Sequence, residues 1–267
     1  MISQESSDEV ESPGESDARI QAMLSHHDPI QLLFQFNEIV TKRSYLQCGI
    51  EVDPGAVVFD VGANVGVAAL FFAVDCGAGV VHSFEPIEPI FEMLRDNTSS
   101  MKACMPHNYG VGAHSQRRPF LYYPASDAMS GLYADPDRDR ASTEEVMRNR
   151  GAEPEHISRF VANRFESVAL ECEVRSLSEV IAEAGVQRID LLKIDVERAE
   201  HEVLEGIADQ DWPRIRQIVS EVHDDGDRLR HFEDALVERG FDVSSLQDED
   251  MHGTDVHLVF AKRNDKA

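Results

Sequence analysis

Asp60-Val61-Gly62-Ala63-Asn64-Val65-Gly66 sets a carboxylate and two glycines between an apolar run and a stretch of helical pattern. Glycine there permits a sharp turn and a close backbone approach to a ligand at a helix N-terminus. Asn64 tolerates the left-handed conformation that a middle glycine would supply. A dinucleotide-binding loop needs glycine at its first, third and sixth positions, where this chain has Gly62, Asn64 and Val67, so pyrophosphate is disfavoured. Asp60 would repel a pyrophosphate, yet it could hold the ammonium of an amino-acid ligand directly or through water. Glu85 follows Gly62 by about twenty residues, the position from which a carboxylate accepts both ribose hydroxyls. An amino acid joined to a nucleoside describes S-adenosylmethionine, the expected cofactor. The structural alternative is that Asp60 and Glu85 only cap the helices after them.

The elements that must hold these residues are legible as alternating strands and helices. Ala56 to Val61 reads as a buried strand, Ala68 to Val74 as helix, Val80 to Phe84 as strand, Ile90 to Leu94 as helix, and Pro106 to Tyr109 as a weaker strand. The rhythm resumes with strand Arg188 to Asp195, helix Glu197 to Ile207, strand Ile215 to Glu221, a helix around Leu229 to Arg239, and closing strands near Phe241-Val243 and Val256-Phe260. This pattern predicts a doubly wound, Rossmann-like α/β sheet. Before it, Asp28-Pro29 opens a helical apolar stripe that runs to about Gln47. Residues 1–27, rich in Ser, Glu, Asp, Gly and Pro, read as a disordered acidic tail, and 28–267 as one domain. Residues 126–165 interrupt the rhythm as a charged helical insertion, expected to be a lid, with capping-box spacing at Ser142-Thr143-Glu144-Glu145.

Asp plus Glu number 50 against 25 for Lys plus Arg, a net charge of −25 that argues against nucleic acid and membrane surfaces as partners. Solubility is the plain reading of that surface and a high-salt habitat the other. The four cysteines form no CxxC pair and read as reduced core residues. With no secretory signal pattern and no spanning run, a cytoplasmic location is expected.

Val57 to Gly66, Ser83-Phe84-Glu85-Pro86, Asp190 to Glu197 and Glu221-Val222-His223, with Tyr45 to Ile50 before them, together resemble the FkbM family of S-adenosylmethionine-dependent methyltransferases, over about residues 30–262. The resemblance implies a class I methyltransferase sheet of seven strands with the last antiparallel. It also implies O-methylation of a small natural-product, polyketide-like or sugar acceptor, free or carrier-tethered. Asn108-Tyr109-Gly110 matches the segment with which the family lines the adenine. The family usually has glycine where this chain has Arg198.

Methyl transfer to a hydroxyl needs a group that takes the proton. His223, just past a strand, is the expected base, with Glu221 to orient or polarise it. A histidine that merely hydrogen-bonds a loop is the alternative. Asp195 and Lys193, two residues apart on one strand face, are expected to position the reactants by charge, with buried ion pairing of Lys193 as the structural reading. Asp195, Glu221 and His223 could instead hold a divalent cation; no metal ligand is assigned. Tyr122-Tyr123-Pro124 and Met129-Ser130-Gly131 suit a flap over the cofactor, with Ser130 against it. The insertion arginines, among them Arg138, Arg140, Arg148 and Arg150, could attract an anionic substrate or form a solvated face. Two rivals remain at this point: a nicotinamide-dependent oxidoreductase and a non-catalytic cofactor-binding module of a larger synthase.

Overall fold

The computed structural model describes residues 13–26 and 28–264. Its strands are β1 (Val57–Val61), β2 (Val80–Phe84), β3 (Cys104–His107), β4 (Gly110–Gly112), β5 (Gln116–Tyr122), β6 (Val168–Ser176), β7 (Leu191–Ile194), β8 (Gln217–His223), β9 (Phe241–Leu246) and β10 (Val256–Arg263). Its α-helices are α1 (Pro13–Met23), α2 (Pro29–Phe36), α3 (Val67–Leu70), α4 (Glu88–Thr98), α5 (Pro136–Asn149), α6 (Pro154–Val161), α7 (Leu177–Ala184), α8 (Glu200–Glu205) and α9 (Arg228–Glu238).

The main sheet has seven strands in the order β3-β2-β1-β7-β8-β10-β9. All pairs from β3 to β8 are parallel, and the last strand, β10, runs antiparallel to both β8 and β9. Both faces are covered, which is why β1 carries consecutive apolar residues, Val57-Val58-Phe59, rather than alternation. Val58 faces a core layer shared with α1, α3 and α4, while Phe59 and Val61 face the layer of α7, α8 and α9. A three-stranded sheet, β4-β6-β5, was not expected from sequence. Its signal lies in β6, where Leu170, Cys172 and Val174 alternate with Glu171, Glu173 and Arg175.

Four expectations need correction. Pro13–Met23 lies within the stretch expected to be disordered and is helical, with Ile20 fully buried in the core and the Ser16 hydroxyl 2.7 Å from Asp75 Oδ1. Burying one isoleucine is worth about 2 kcal/mol, and Ile20, Met23 and Leu24 form a local stripe that the average composition hides. The rest of the expected tail, residues 1–12 and 27, lies outside the described residues. Asp28 caps α2 as expected, but the helix stops at Phe36, continues as a wider turn over Asn37–Thr41, and ends where Arg43 takes the left-handed conformation at φ 53°. The insertion helix starts at Pro136, capped by Asp135, so Ser142 is interior to it rather than a start. Of the four cysteines, Cys48 is exposed, not core. Among the described residues no helix is long and apolar enough to cross a membrane.

Candidate active site

A cavity of about 280 Å³ opens over the C-terminal ends of β1, β2, β7 and β8. Its floor is the loop after β1, where tight turns are forced by backbone contact. Gly62 sits at φ 78°, and a Cβ on it would lie 1.7 Å from the Asp195 carbonyl oxygen. Asn64, at φ 46°, is left-handed, the conformation its side chain tolerates. The amides of Gly62 and Ala63 both donate to the Phe84 carbonyl, tying the loop to β2. Gly66, at φ 95°, starts α3 against Leu94.

Glu85 is buried at the cavity edge, accepting from the Ile87 amide at 2.9 Å and the Asn64 amide at 3.2 Å. Burial outweighs those two bonds and pushes its pKa up to about 8. Those two N–H bonds leave the carboxyl's remaining acceptor sites, and its O–H while it is protonated, for a ligand. Asn108 does not line the cavity; its amide braces the Glu85 and Pro86 carbonyls. Tyr109 packs outside, against Phe84 and His107 with Arg175 over its ring, and only Gly110 of that segment reaches the wall with Pro86.

Asp60 is fully buried and is not part of the cavity wall. The ammonium that meets it belongs to Lys193, whose Nζ lies 3.1 Å from Asp60 Oδ1, 3.4 Å from Asp195 Oδ2 and 2.7 Å from the Gly62 carbonyl. Burial works against charge on Lys193, and the two carboxylates outweigh it. The sequence expectation for Asp60 as the holder of a ligand ammonium is therefore corrected. Lys193, expected among the catalytic residues, is likewise off the wall and acts as the peg beneath the loop. Asp195 is the carboxylate of this group that faces the cavity, and the Tyr45 hydroxyl donates to it at 3.0 Å.

His223 lies buried on the opposite wall, its Nδ1 hydrogen-bonded and its Nε2 facing a carboxylate without a hydrogen bond. Nδ1 is 3.2 Å from Glu200 Oε1 and Nε2 is 3.4 Å from Glu197 Oε2. Burial opposes protonation, but the Glu200 hydrogen bond and the charge of both glutamates raise its pKa to about 8. Glu221, expected to orient the ring, is not its partner; it projects into the cavity from the same strand face. Burial first, then Asp195 and Glu38, drive the Glu221 pKa well above the carboxylate range. Glu38 rises to about 7 and Glu197 to about 8, burial again leading. Glu197, Glu221 and His223 each offer a ligand atom within 4.8 Å of one another and could hold a divalent cation. Asp195, expected in that set, is not in the group.

The roof comes from α2, the insertion and the segment holding Met251 and Val256. Ser130 lines the cavity and accepts from the Tyr123 amide at 2.9 Å. Asp127, buried, meets His26 Nε2 at 2.8 Å and the Gln31 side chain. The insertion arginines are spent within the chain: Arg138 on Asp225 and Asp255, Arg148 on Glu144 and Glu145, Arg150 on Asp250, and Arg140 on the Val161 carbonyl. Sequence reasoning missed Gln31, Glu38, Asp127 and Glu200, used Tyr45 only within a motif, and offered Glu197 as an ion-pair partner of Lys193, which pairs instead with Asp60 and Asp195. Glu200 carried a local signal as a first-turn acid of α8, as Glu38 and Asp127 did in their own short helical turns.

The strand order, with its cavity at the carboxyl ends of the parallel strands, defines a Rossmann-like class I methyltransferase fold. The sequence model of the Methyltransferase FkbM domain matches residues 60–243, and the chain belongs to this family of methyltransferases. It is 39% identical over 248 residues to the 31-O-demethyl-FK506 methyltransferase FkbM of Streptomyces tacrolimicus, covering 91% of this chain and 94% of that one. It is 37% identical over 245 residues to the AMB antimetabolite synthetase AmbE of Pseudomonas aeruginosa, covering 86% of this chain and 12% of the synthetase. The crystal structure of methyltransferase FkbM from Methylobacillus flagellatus matches with a TM-score of 0.46 at 14% identity, covering 92% of this chain and 58% of that one.

Proposed function

We propose that this methyltransferase takes the methyl group of S-adenosylmethionine and places it on a hydroxyl oxygen of a small natural-product, polyketide-like or sugar acceptor, with His223 taking the hydroxyl proton. The observation that carries the reading is a buried imidazole on one wall of the cavity and a half-satisfied carboxyl, Glu85, on the other. The wall between them carries the carboxyl groups of Glu38, Asp195, Glu197 and Glu221, whose burial and mutual crowding raise the pKa of the three glutamates. A donor cationic at both its ammonium and its sulfur would favour their ionised forms. Glu85 would receive the ribose hydroxyls, and Asp195 the amino-acid end. When bound, the donor supplies an electrophilic methyl carbon. The chain then has to align an acceptor oxygen, exclude water and accept one proton at His223 Nε2, while Glu200 at Nδ1 steadies the ring and its charge. The leaving sulfur keeps the electrons of its broken bond, and His223 later returns the proton to water.

Phe34, Met129, Val146, Met147, Phe160 and Met251 make the outer cavity apolar, which supports an acceptor with a hydrocarbon body. The Streptomyces relative, a 31-O-demethyl-FK506 methyltransferase, supports an oxygen acceptor, and the match to 12% of a Pseudomonas synthetase supports one held within a larger assembly. The net charge of −25 supports a small molecule over nucleic acid. The test is calorimetry with S-adenosylhomocysteine, followed by mass analysis of hydroxylated acceptors incubated with the donor. Binding with a gain of one methylene is expected; absence of heat would falsify the cofactor, and a methylated nitrogen or carbon would overturn the acceptor.

A second reading rests on the Glu197-Glu221-His223 cluster. A divalent cation there would supply Lewis acidity to the acceptor hydroxyl. Turnover lost to a chelator and restored by magnesium would assign the cluster to the metal; retained turnover assigns His223 to the proton.

A further inference from the structure

Two adjacent residues of the segment entering α8 take the left-handed backbone without being glycine: Glu197 at φ 51° and Arg198 at φ 73°. Strain of this kind persists only where the surroundings hold it, and it concentrates at functional sites. The insertion is one holder, beside Arg228 of α9, whose Nη2 donates to the Arg198 carbonyl at 2.8 Å. Arg198, buried, donates Nη1 to Asp139 Oδ1 at 2.7 Å, and Asp139, fully buried on α5, takes the Tyr123 hydroxyl and the Asp135 amide, both at 2.9 Å, on its other oxygen. Among the described residues Arg198 Nε and Nη2 have no hydrogen-bond partner, and Asp139 is the group that its side chain grips. A second contact lies beside it: Gly131 packs so closely on Glu197 that a Cβ would come within 2.9 Å of the Glu197 Cβ. The Arg198 amide in turn donates to Glu200 Oε1 at 2.7 Å, the same oxygen that meets His223 Nδ1.

We infer that Arg198 is a positioning residue: its clasp on Asp139 holds the insertion down over the cavity and sets Glu197 and Glu200 on either side of the His223 ring. A chain with glycine at this position would reach the same backbone without a side chain for α5 to grip. The clasp therefore makes assembly of the proton-accepting group depend on closure of the roof, so that an open cavity holds an unsupported imidazole. This inference rests on the reading of His223 as the proton acceptor.

The test uses the full chain. Arg198→Gly alone would leave Asp139 buried without its cation, so the informative variant is the double change Arg198→Gly with Asp139→Asn, which removes both charges and puts glycine where φ favours it. Hydrogen exchange in α5 and in residues 197–200 is expected to quicken about tenfold or more. The kcat is expected to fall about tenfold or more while KM changes less than about threefold, the split that marks misplaced catalytic groups rather than lost binding. Arg198→Lys, keeping the charge, should recover part of the turnover. Exchange at the parental rate overturns the clasp, and faster exchange with parental kcat overturns the positioning role. If the parent binds S-adenosylhomocysteine but methylates nothing, the proposed function fails and the exchange result alone decides the clasp.

Discussion

Asp60 and Lys193 face each other across the pairing of β1 with β7, in register, with their charged atoms 3.1 Å apart beneath the ligand loop. Lys193 is thereby shared between the interior of the sheet and the cavity-facing Asp195. Lys193→Met should cost about 3 to 5 kcal/mol of stability, because two carboxylates lose their buried cation. The double variant with Asp60→Asn should recover most of that loss. Chemical denaturation of the four proteins in this cycle checks it, and strict additivity would show that the pair does not act as a unit.

Replacing Gly62 with alanine should be among the most damaging single changes. The added methyl meets backbone rather than a flexible side chain, and φ 78° is unfavourable for any L residue. A loss of about 3 kcal/mol or more is expected, with S-adenosylhomocysteine binding abolished in whatever folds. Thermal unfolding and calorimetry read the two effects.

His223→Ala should lower kcat by about a hundredfold to ten-thousandfold while leaving S-adenosylhomocysteine affinity near the parental value. The parent's pH profile carries the sign. A proton acceptor whose pKa is raised to about 8 is in its working form only above that pH, so kcat should climb through pH 8 and then level off. A profile that is flat from pH 6 to 9 assigns the proton to another group.

Glu85 ties ligand affinity to the pH dependence of folding. In the unfolded chain it ionises in the ordinary carboxylate range, whereas in the fold it keeps its proton until about pH 8. The native state therefore binds more protons between those values, and stability contributed by this group falls as pH rises across that window. Glu85→Gln should flatten the slope of midpoint against pH over that range. The same change should weaken S-adenosylhomocysteine by about tenfold to a hundredfold, if the carboxyl receives the ribose. An unaltered affinity would place the ribose elsewhere.

What the sequence disclosed and what it withheld divide by distance along the chain. The Asp28 cap, the buried run of β1, the glycine turn and the acids at the strand ends are local features, each decided within a few residues. The partnership of Asp60 with Lys193 depends on which strand becomes the neighbour of β1 and in what register, and 133 positions separate the two residues. His223 was legible as a titrating group on the cavity wall, but its partners Glu197 and Glu200 are delivered by the segment after β7, while the nearer candidate Glu221 faces the cavity beside the ring without bonding to it. Ile20 was lost to an average, since the stripe of Ile20, Met23 and Leu24 lies in a field of serine and acid that leaves the window's composition polar.

The docking of α1 bears on how this protein is best produced. Expression boundaries chosen by compositional complexity would begin at Asp28 and discard the preceding helix as dispensable. That cut would expose the pocket Ile20 fills and remove His26 from beside Asp127, at the end of the cavity that Gln31 also lines. A shortened preparation that aggregates or refuses ligand would then report on the trimming, not on the enzyme's chemistry.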